Sequence, residues 1–186
     1  MPAATLARRR RGVTLLELII TLAIAGVLLA VAVPLARRSL RNARMIATGN
    51  RFLHALHLAR SEALRRGVRV TLCKSTDGAG CADHGGWDQG WLVFRDADAD
   101  GRPDSSAAIL LVSASLDRAV MSGNRPVRSY VSYAPDGATR RLSGAFQAGT
   151  LTLCDRQALV RTRRIVISRT GRPRIAVSPA APGSCT

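Results

Sequence analysis

Residues 8–34 read RRRRGVTLLELIITLAIAGVLLAVAVP: four arginines, a glycine, then an apolar run over 13–33 broken by a single charge, Glu17. At about 1.5 Å rise per residue, such a run spans roughly 30 Å as a helix, the hydrocarbon thickness of a bilayer. The segment is long and apolar enough to cross a membrane. Arg8, Arg9, Arg10 and Arg11 stand before it with no acid among them. The positive-inside bias therefore predicts a cytoplasmic N-terminus and sends everything after Pro34 outward. A secretory signal peptide shares the basic start, but its apolar region is usually shorter and an acid near its beginning is unexpected. Glu17 argues against it. A carboxylate facing lipid costs roughly 2.5 kcal/mol or more, so an acid kept there calls for a named partner.

The chain has 186 residues, enough for one anchor and one modest domain of about 120 residues. Its net charge of +16 is unevenly distributed. Residues 68–124 carry five basic and eight acidic side chains, net −3, whereas residues 125–186 carry eleven and two, net +9. A general arginine bias would raise both segments alike. The C-terminal excess therefore reads as a patch.

Four cysteines, Cys73, Cys81, Cys154 and Cys185, follow the anchor on its outward side, where disulfides persist. They allow three pairings. The short Gly-rich loop favours Cys73 with Cys81, and Cys154 with Cys185 would pin the C-terminus to a strand. Zinc is the alternative, but the spacings are irregular and no histidine stands close enough in sequence to complete a familiar pattern.

The helical pattern continues beyond the membrane exit. Leu35, Leu40, Ile46, Phe52, Leu53, Leu56 and Leu64 recur at helical intervals with arginines between them. Pro34 would kink this helix without ending it, and Gly67 after Arg65 and Arg66 is a natural stop. His54 and His57 are expected to pack on or near its apolar side. After Gly67 the period changes to two. Strands are predicted at 68–73, 90–95, 109–113, 127–134, 150–154, 160–168 and 174–177, with a polar loop over 74–90 that holds Cys81. Trp87 and Trp91 are read as packing residues. The organisation predicted is a short leader over 1–12, a membrane helix over 13–34, its amphipathic continuation over 35–67 and a β-rich head over 68–186, an α+β chain.

Few constellations carry chemistry. Asp96, Asp98, Asp100 and Gly101 form the first half of a calcium loop to which Asp104 could add, but Ala107 stands where a bidentate glutamate is needed. An ordinary Asp/Gly turn is the stronger reading. There is no Gly-rich phosphate loop, nucleophile elbow or paired-histidine zinc motif, and His84 is isolated, so neither catalysis nor a cofactor is expected. Residues 160–177, VRTRRIVISRTGRPRIAV, read as two strands joined by a turn in which Gly171 takes positive φ and Pro173 stiffens the exit. Alternation puts Arg161, Arg163 and Arg169 on one side with Ile165 and Ile167. Arg164 adds to the charge of the strand, and Arg172 and Arg174 project at the tip. Guanidinium forks on a stiff turn suit bidentate phosphate contacts that release counterions, a mode with little sequence preference.

These motifs resemble a known family. Gly12-Val13-Thr14-Leu15-Leu16-Glu17 resembles the processing site of type IV prepilins, with Val13 where phenylalanine is commoner. The resemblance implies cleavage by a prepilin peptidase after Gly12, N-methylation of Val13, and pairing of Glu17 with the new amine of a neighbouring pilin in a filament. HLARSEALRRG at 57–67, VTLC at 70–73, WDQGWLVFRD at 87–96 and LTLC at 151–154 are similar to the GspH/FimT group of minor pilins and pseudopilins. That implies a pilin-like fold inserted in the inner membrane with a periplasmic head. Gly171-Arg172-Pro173-Arg174 looks like the GRxR motif of FimT-type minor pilins, which implies DNA binding in natural transformation. A GspH-type pseudopilin of a type II secretion system, or a structural priming pilin, would share the fold and the processing.

Overall fold

The computed structural model describes residues 12–178. Leader residues 1–11, Arg8 to Arg11 among them, and Cys185 with its expected Cys154 pairing lie outside the described residues. Among the described residues one long helix, α1 (Leu15–Arg66), precedes eight strands: β1 (Val70–Lys74), β2 (Trp91–Arg95), β3 (Ile109–Ser113), β4 (Ala119–Gly123), β5 (Tyr130–Tyr133), β6 (Gly149–Asp155), β7 (Arg163–Ile167) and β8 (Pro173–Val177). The chain divides into two compact units, one ending at Ser39 and the other beginning at Leu40.

In the first unit, α1 carries an 18-residue window of mean hydropathy 2.8, none of it buried. Leu15, Ile19, Ile24, Leu28 and Val31 are all open. An all-round apolar helix that none of the described residues covers is built for lipid or for other helices. Its start is capped: the Thr14 hydroxyl accepts the Glu17 N–H at 3.3 Å. This is one half of the Thr-x-x-Glu capping arrangement. The helix passes Pro34 without interruption.

In the second unit, two four-stranded antiparallel sheets, ordered β3-β2-β1-β5 and β4-β6-β7-β8, share one core with the C-terminal half of α1. The helix buries Met45, Gly49, Phe52, Ala55, Leu56, Ala59 and Ala63. This differs from the expected stripe, because Leu40, Ile46 and Leu64 are exposed and only Phe52 and Leu56 of the predicted positions are buried. Small side chains hold the inner face because the sheets approach closely. A β-carbon on Gly49 would stand 3.3 Å from Ile175 Cδ1. His54 and His57, expected to pack near the apolar side, are exposed for the same reason. Phe52 meets Trp87 and Trp91 edge-on at 5.2 and 5.0 Å. Both tryptophans are fully buried, and Trp87 Nε1 donates to Val127 O at 3.0 Å.

The strands depart from expectation in four places. β1 extends through Lys74, where the sequence predicts loop: it is 2% exposed, and its ammonium donates to His84 O and Gly85 O at 3.2 and 3.0 Å. Burial lowers its pKa. β4 has no strand signal in the sequence, since Ser122 and Gly123 are weak strand formers; pairing with β6 over Ala119–Gly123 imposes it. β5 starts late because Arg125–Val127 forms a 3-10 turn around Pro126. β7 begins at Arg163, which leaves Arg161 before the strand and Arg169 beyond it. Cys73 and Cys81 are joined in a disulfide. With Leu92, Phe94, Ile109 and Tyr130 they form a second apolar cluster.

Candidate functional site

Three turns of one kind shape one end of the head. The Ala134, Arg141 and Ser168 carbonyls accept the N–H of Gly137, Gly144 and Gly171. The N–H of the same three residues donates to Ala138 O, Ala145 O and Arg172 O at 2.9, 2.8 and 3.2 Å. Each is a three-residue hairpin loop closed by a glycine at positive φ, at 74°, 83° and 76°. The first and third touch. The Thr139 hydroxyl lies 2.5 Å from Gln147 O and 3.1 Å from Ser168 O, which ties the β7–β8 turn to the 134–147 segment. Gln147 is buried and fully engaged, accepting Ser132 N–H and donating to Pro126 O and Tyr130 O, each at 2.9 Å.

On this scaffold Arg172, at the end of the turn, and Arg174, in β8, are exposed while Pro173 between them is buried, so both turn away from the core. Arg174 faces Val166 across the ladder and Ala176 faces Arg164. Arg164 and Arg174 are therefore diagonal neighbours on the outward face. The basic face is the opposite one from that predicted by alternation. Ile165 and Ile167 turn inward, 0% and 1% exposed, and Arg163 goes with them. Its guanidinium donates to Asn42 Oδ1 of α1 at 3.1 Å. Arg161 and Arg169 are exposed outside β7. β8 is also an edge strand, where arginines discourage pairing with other chains.

Arg169 packs against an aromatic ring. Its guanidinium carbon lies 4.6 Å from the centre of the Phe146 ring, and that of Arg140 lies 5.7 Å from it. Phe146 pairs with Arg140 across the short 140–146 hairpin and is 56% exposed. No sequence periodicity marks this ring, since the hairpin carrying it is only a turn and one bridge. Arg140 also pairs with Asp136 at 3.0 Å. The Ala138 N–H and then Arg140 hold the Asp136 carboxyl below the usual carboxylate range.

A second group of arginines is partly neutralised by acids. The cleft lined by Arg41, Arg44, Arg118 and Arg156 includes Asp117 and Asp155. Arg41 lies 3.9 Å from Asp155, Arg118 3.6 Å from Asp117, and Arg156 3.7 Å from Asp88. At the hairpin end, Arg140, Arg141, Arg164, Arg169, Arg172 and Arg174 meet only Asp136 among the acids that form ion pairs in the described residues. In the candidate calcium loop, carboxylate oxygens of Asp96, Asp98 and Asp100 lie within 4.8 Å of one another, and Asp104 is not in the group. They already serve the loop. Buried Asp96 accepts the Thr71 hydroxyl at 2.6 Å and Gly101 N–H at 3.1 Å, Asp98 accepts Asp100 N–H at 3.4 Å, and Asp100 accepts Arg102 N–H at 2.7 Å. Burial raises the pKa of Asp96. This is the geometry of a self-capped Asp turn.

Comparison with known proteins adds the lineage. Residues 48–171 match the family model described as type II transport protein GspH, and residues 7–33 match the prokaryotic N-terminal methylation motif. Pilin-like protein PilA1 of Thermus thermophilus is 42% identical over 99 residues, 51% of this chain and 54% of the relative. The chain thus spans about half the length of that curated relative. The crystal structure of the type IV minor pilin FimU of Pseudomonas aeruginosa is similar at a TM-score of 0.54 and 20% identity, over 78% of this chain and 98% of that one. The minor pseudopilin EpsH from the type 2 secretion system of Vibrio cholerae gives a TM-score of 0.48 and 12% identity, over 76% and 99%. With a family match over more than half of its length and the methylation motif at the head of an apolar helix, this chain belongs to the GspH family of pilin-like proteins.

Proposed function

We propose that this chain is a minor type IV pilin that binds DNA through the backbone and serves its uptake in natural transformation. Arg172 and Arg174, exposed on one side of a stiff turn and joined by Arg164 and Arg169 with little opposing acid, carry this reading. Fixed guanidiniums pair with phosphate bidentately, and each contact releases counterions. The GRPR turn at 171–174 adds the likeness to FimT-type pilins. The same reading has the chain inserted with its head in the periplasm, cut after Gly12 by a prepilin peptidase, methylated at Val13, and assembled with other pilins through Glu17.

The test uses the full chain in detergent micelles. Binding to unrelated duplexes should fall linearly on a log–log plot against salt, and Arg172→Gln with Arg174→Gln should weaken all duplexes alike and flatten that slope by about two. Affinity unchanged in the double variant would overturn the reading. In cells, a deletion strain should lose transformation while retaining secretion.

A second reading is favoured by the matched model, which is named for type II transport. As a pseudopilin of a secretion system, the chain would use its arginines on protein neighbours. Loss of secretion with intact transformation in the deletion strain would select it.

A further inference from the structure

We propose that Phe146, with Arg140 and Arg169 against its ring, is a seat on which an unpaired nucleobase stacks, so that the hairpin end holds single-stranded DNA differently from duplex. The proposal rests on the DNA-binding reading above and deepens it. The sequence predicts phosphate contacts alone, because aromatic residues are scarce: two tryptophans, two tyrosines and three phenylalanines. Burial then removes almost all of them. Phe52, Trp87, Trp91, Phe94 and Tyr133 are fully buried and Tyr130 is half-buried, which leaves Phe146 as the one exposed aromatic among the described residues.

That ring stands where the backbone-binding arginines are. Arg169 opens the turn that Arg172 closes, and the Thr139 hydroxyl reaches Ser168 O from the segment that carries Phe146. The fold holds the ring out by design of the backbone: Arg140 and Phe146 are bridged, Arg141 N–H donates to Ala145 O at 2.8 Å, and the next residue, Gln147, is locked in the core. The ring cannot turn inward while Gln147 keeps its partners. Two guanidiniums at 4.6 and 5.7 Å still leave it 56% exposed.

An aromatic face flanked by guanidinium planes matches the chemistry of a base and its flanking phosphates: the ring and the guanidiniums stack on the π-face, and the positive charge holds the backbone on either side. Duplex DNA keeps its bases stacked inside and offers no such face except at its ends. A single strand offers one at every step. The seat reads no sequence, since every base has a π-face.

The experiment measures fluorescence anisotropy of the full chain in detergent micelles with an oligothymidylate, a blunt duplex and a duplex with a 3′ overhang, alongside the emission of 2-aminopurine placed in the single strand. Phe146→Ala should weaken single-strand binding on the order of tenfold and leave the blunt duplex within about twofold. Phe146→Tyr should restore it. Quenching of 2-aminopurine should be present with the wild type and Phe146→Tyr and absent with Phe146→Ala. The Arg172→Gln, Arg174→Gln pair should weaken every probe, which separates the two claims. Equal loss on single strand and duplex, or no loss on either, overturns the stacking seat while leaving the phosphate reading intact. Loss of pilus incorporation with unchanged nucleic-acid binding identifies the ring as a subunit contact and also overturns it. A wild-type chain that binds none of the probes ends both.

Discussion

Gly171 lies against the backbone of Gly137: a β-carbon on Gly171 would stand 2.1 Å from the Gly137 carbonyl oxygen and 3.2 Å from Tyr133 Cε1. The glycine of the GRPR turn is therefore required twice, by a φ of 76° and by a neighbour that is backbone and cannot rotate away. The arginines on either side are positioned by this contact.

Gly171→Ala should accordingly cost stability, about 1–3 kcal/mol for the backbone conformation alone and more for the clash. Thermal unfolding should show the loss. DNA binding should fall together with it although no guanidinium has been removed. A variant as stable as the wild type would show that the third turn does not need its contact with the first.

Asp136 should act in the opposite direction on binding. It accepts the Ala138 N–H at 2.9 Å and pairs with Arg140, one of the two arginines on Phe146. Asp136→Asn should raise DNA affinity about two- to fivefold at low salt, with the gain vanishing as salt screens it. The sign of the pH effect follows from its lowered pKa. The carboxylate's contribution to stability is present above the ordinary carboxylate range and is lost as pH falls through the lower folded value. Denaturation measured at neutral pH should therefore separate variant from wild type, and in strong acid the difference should close.

Reduction of Cys73–Cys81 should lower stability by about 2–3 kcal/mol, the chain-entropy value for so short a loop, or roughly 5–10 °C in midpoint. The bond lies in the cluster with Leu92 and Phe94, and it reaches the hairpin end through Tyr130, whose hydroxyl accepts Leu142 N–H at 3.3 Å, and through Gly101, whose carbonyl lies 3.4 Å from Cys81 Sγ and which faces the Leu142 side chain. Cys73→Ser with Cys81→Ser should reproduce the loss in a calorimeter while DNA affinity of the folded chain stays within about twofold.

Glu17 is exposed beside the cap of α1, and nothing in its own chain uses its carboxylate among the described residues. Glu17→Ala should leave the chain in the membrane fraction and processed, yet absent from sheared filaments probed by immunoblot. Normal incorporation would remove the role proposed for it.

The long apolar helix, the change of period after Gly67, the β-rich head and the short disulfide loop were all legible in the residues, because each depends on local composition and spacing over a few turns or strands. Which face of each element turns inward was not. Leu40, Ile46 and Leu64 look like a core stripe and are exposed, since the sheets come so near α1 that Gly49, Ala55, Ala59 and Ala63 must hold the contact. Arg163 looks like part of a basic surface and is drawn in with Ile165 by the same packing. The GRPR motif can be read from four letters, but Phe146, Arg140 and Arg169 are separated along the chain and meet only because three glycine-closed turns gather at one end of the head. Neighbours in space across a sheet or between turns are selected by burial and backbone fit summed over the whole domain, and no short window of residues contains that sum.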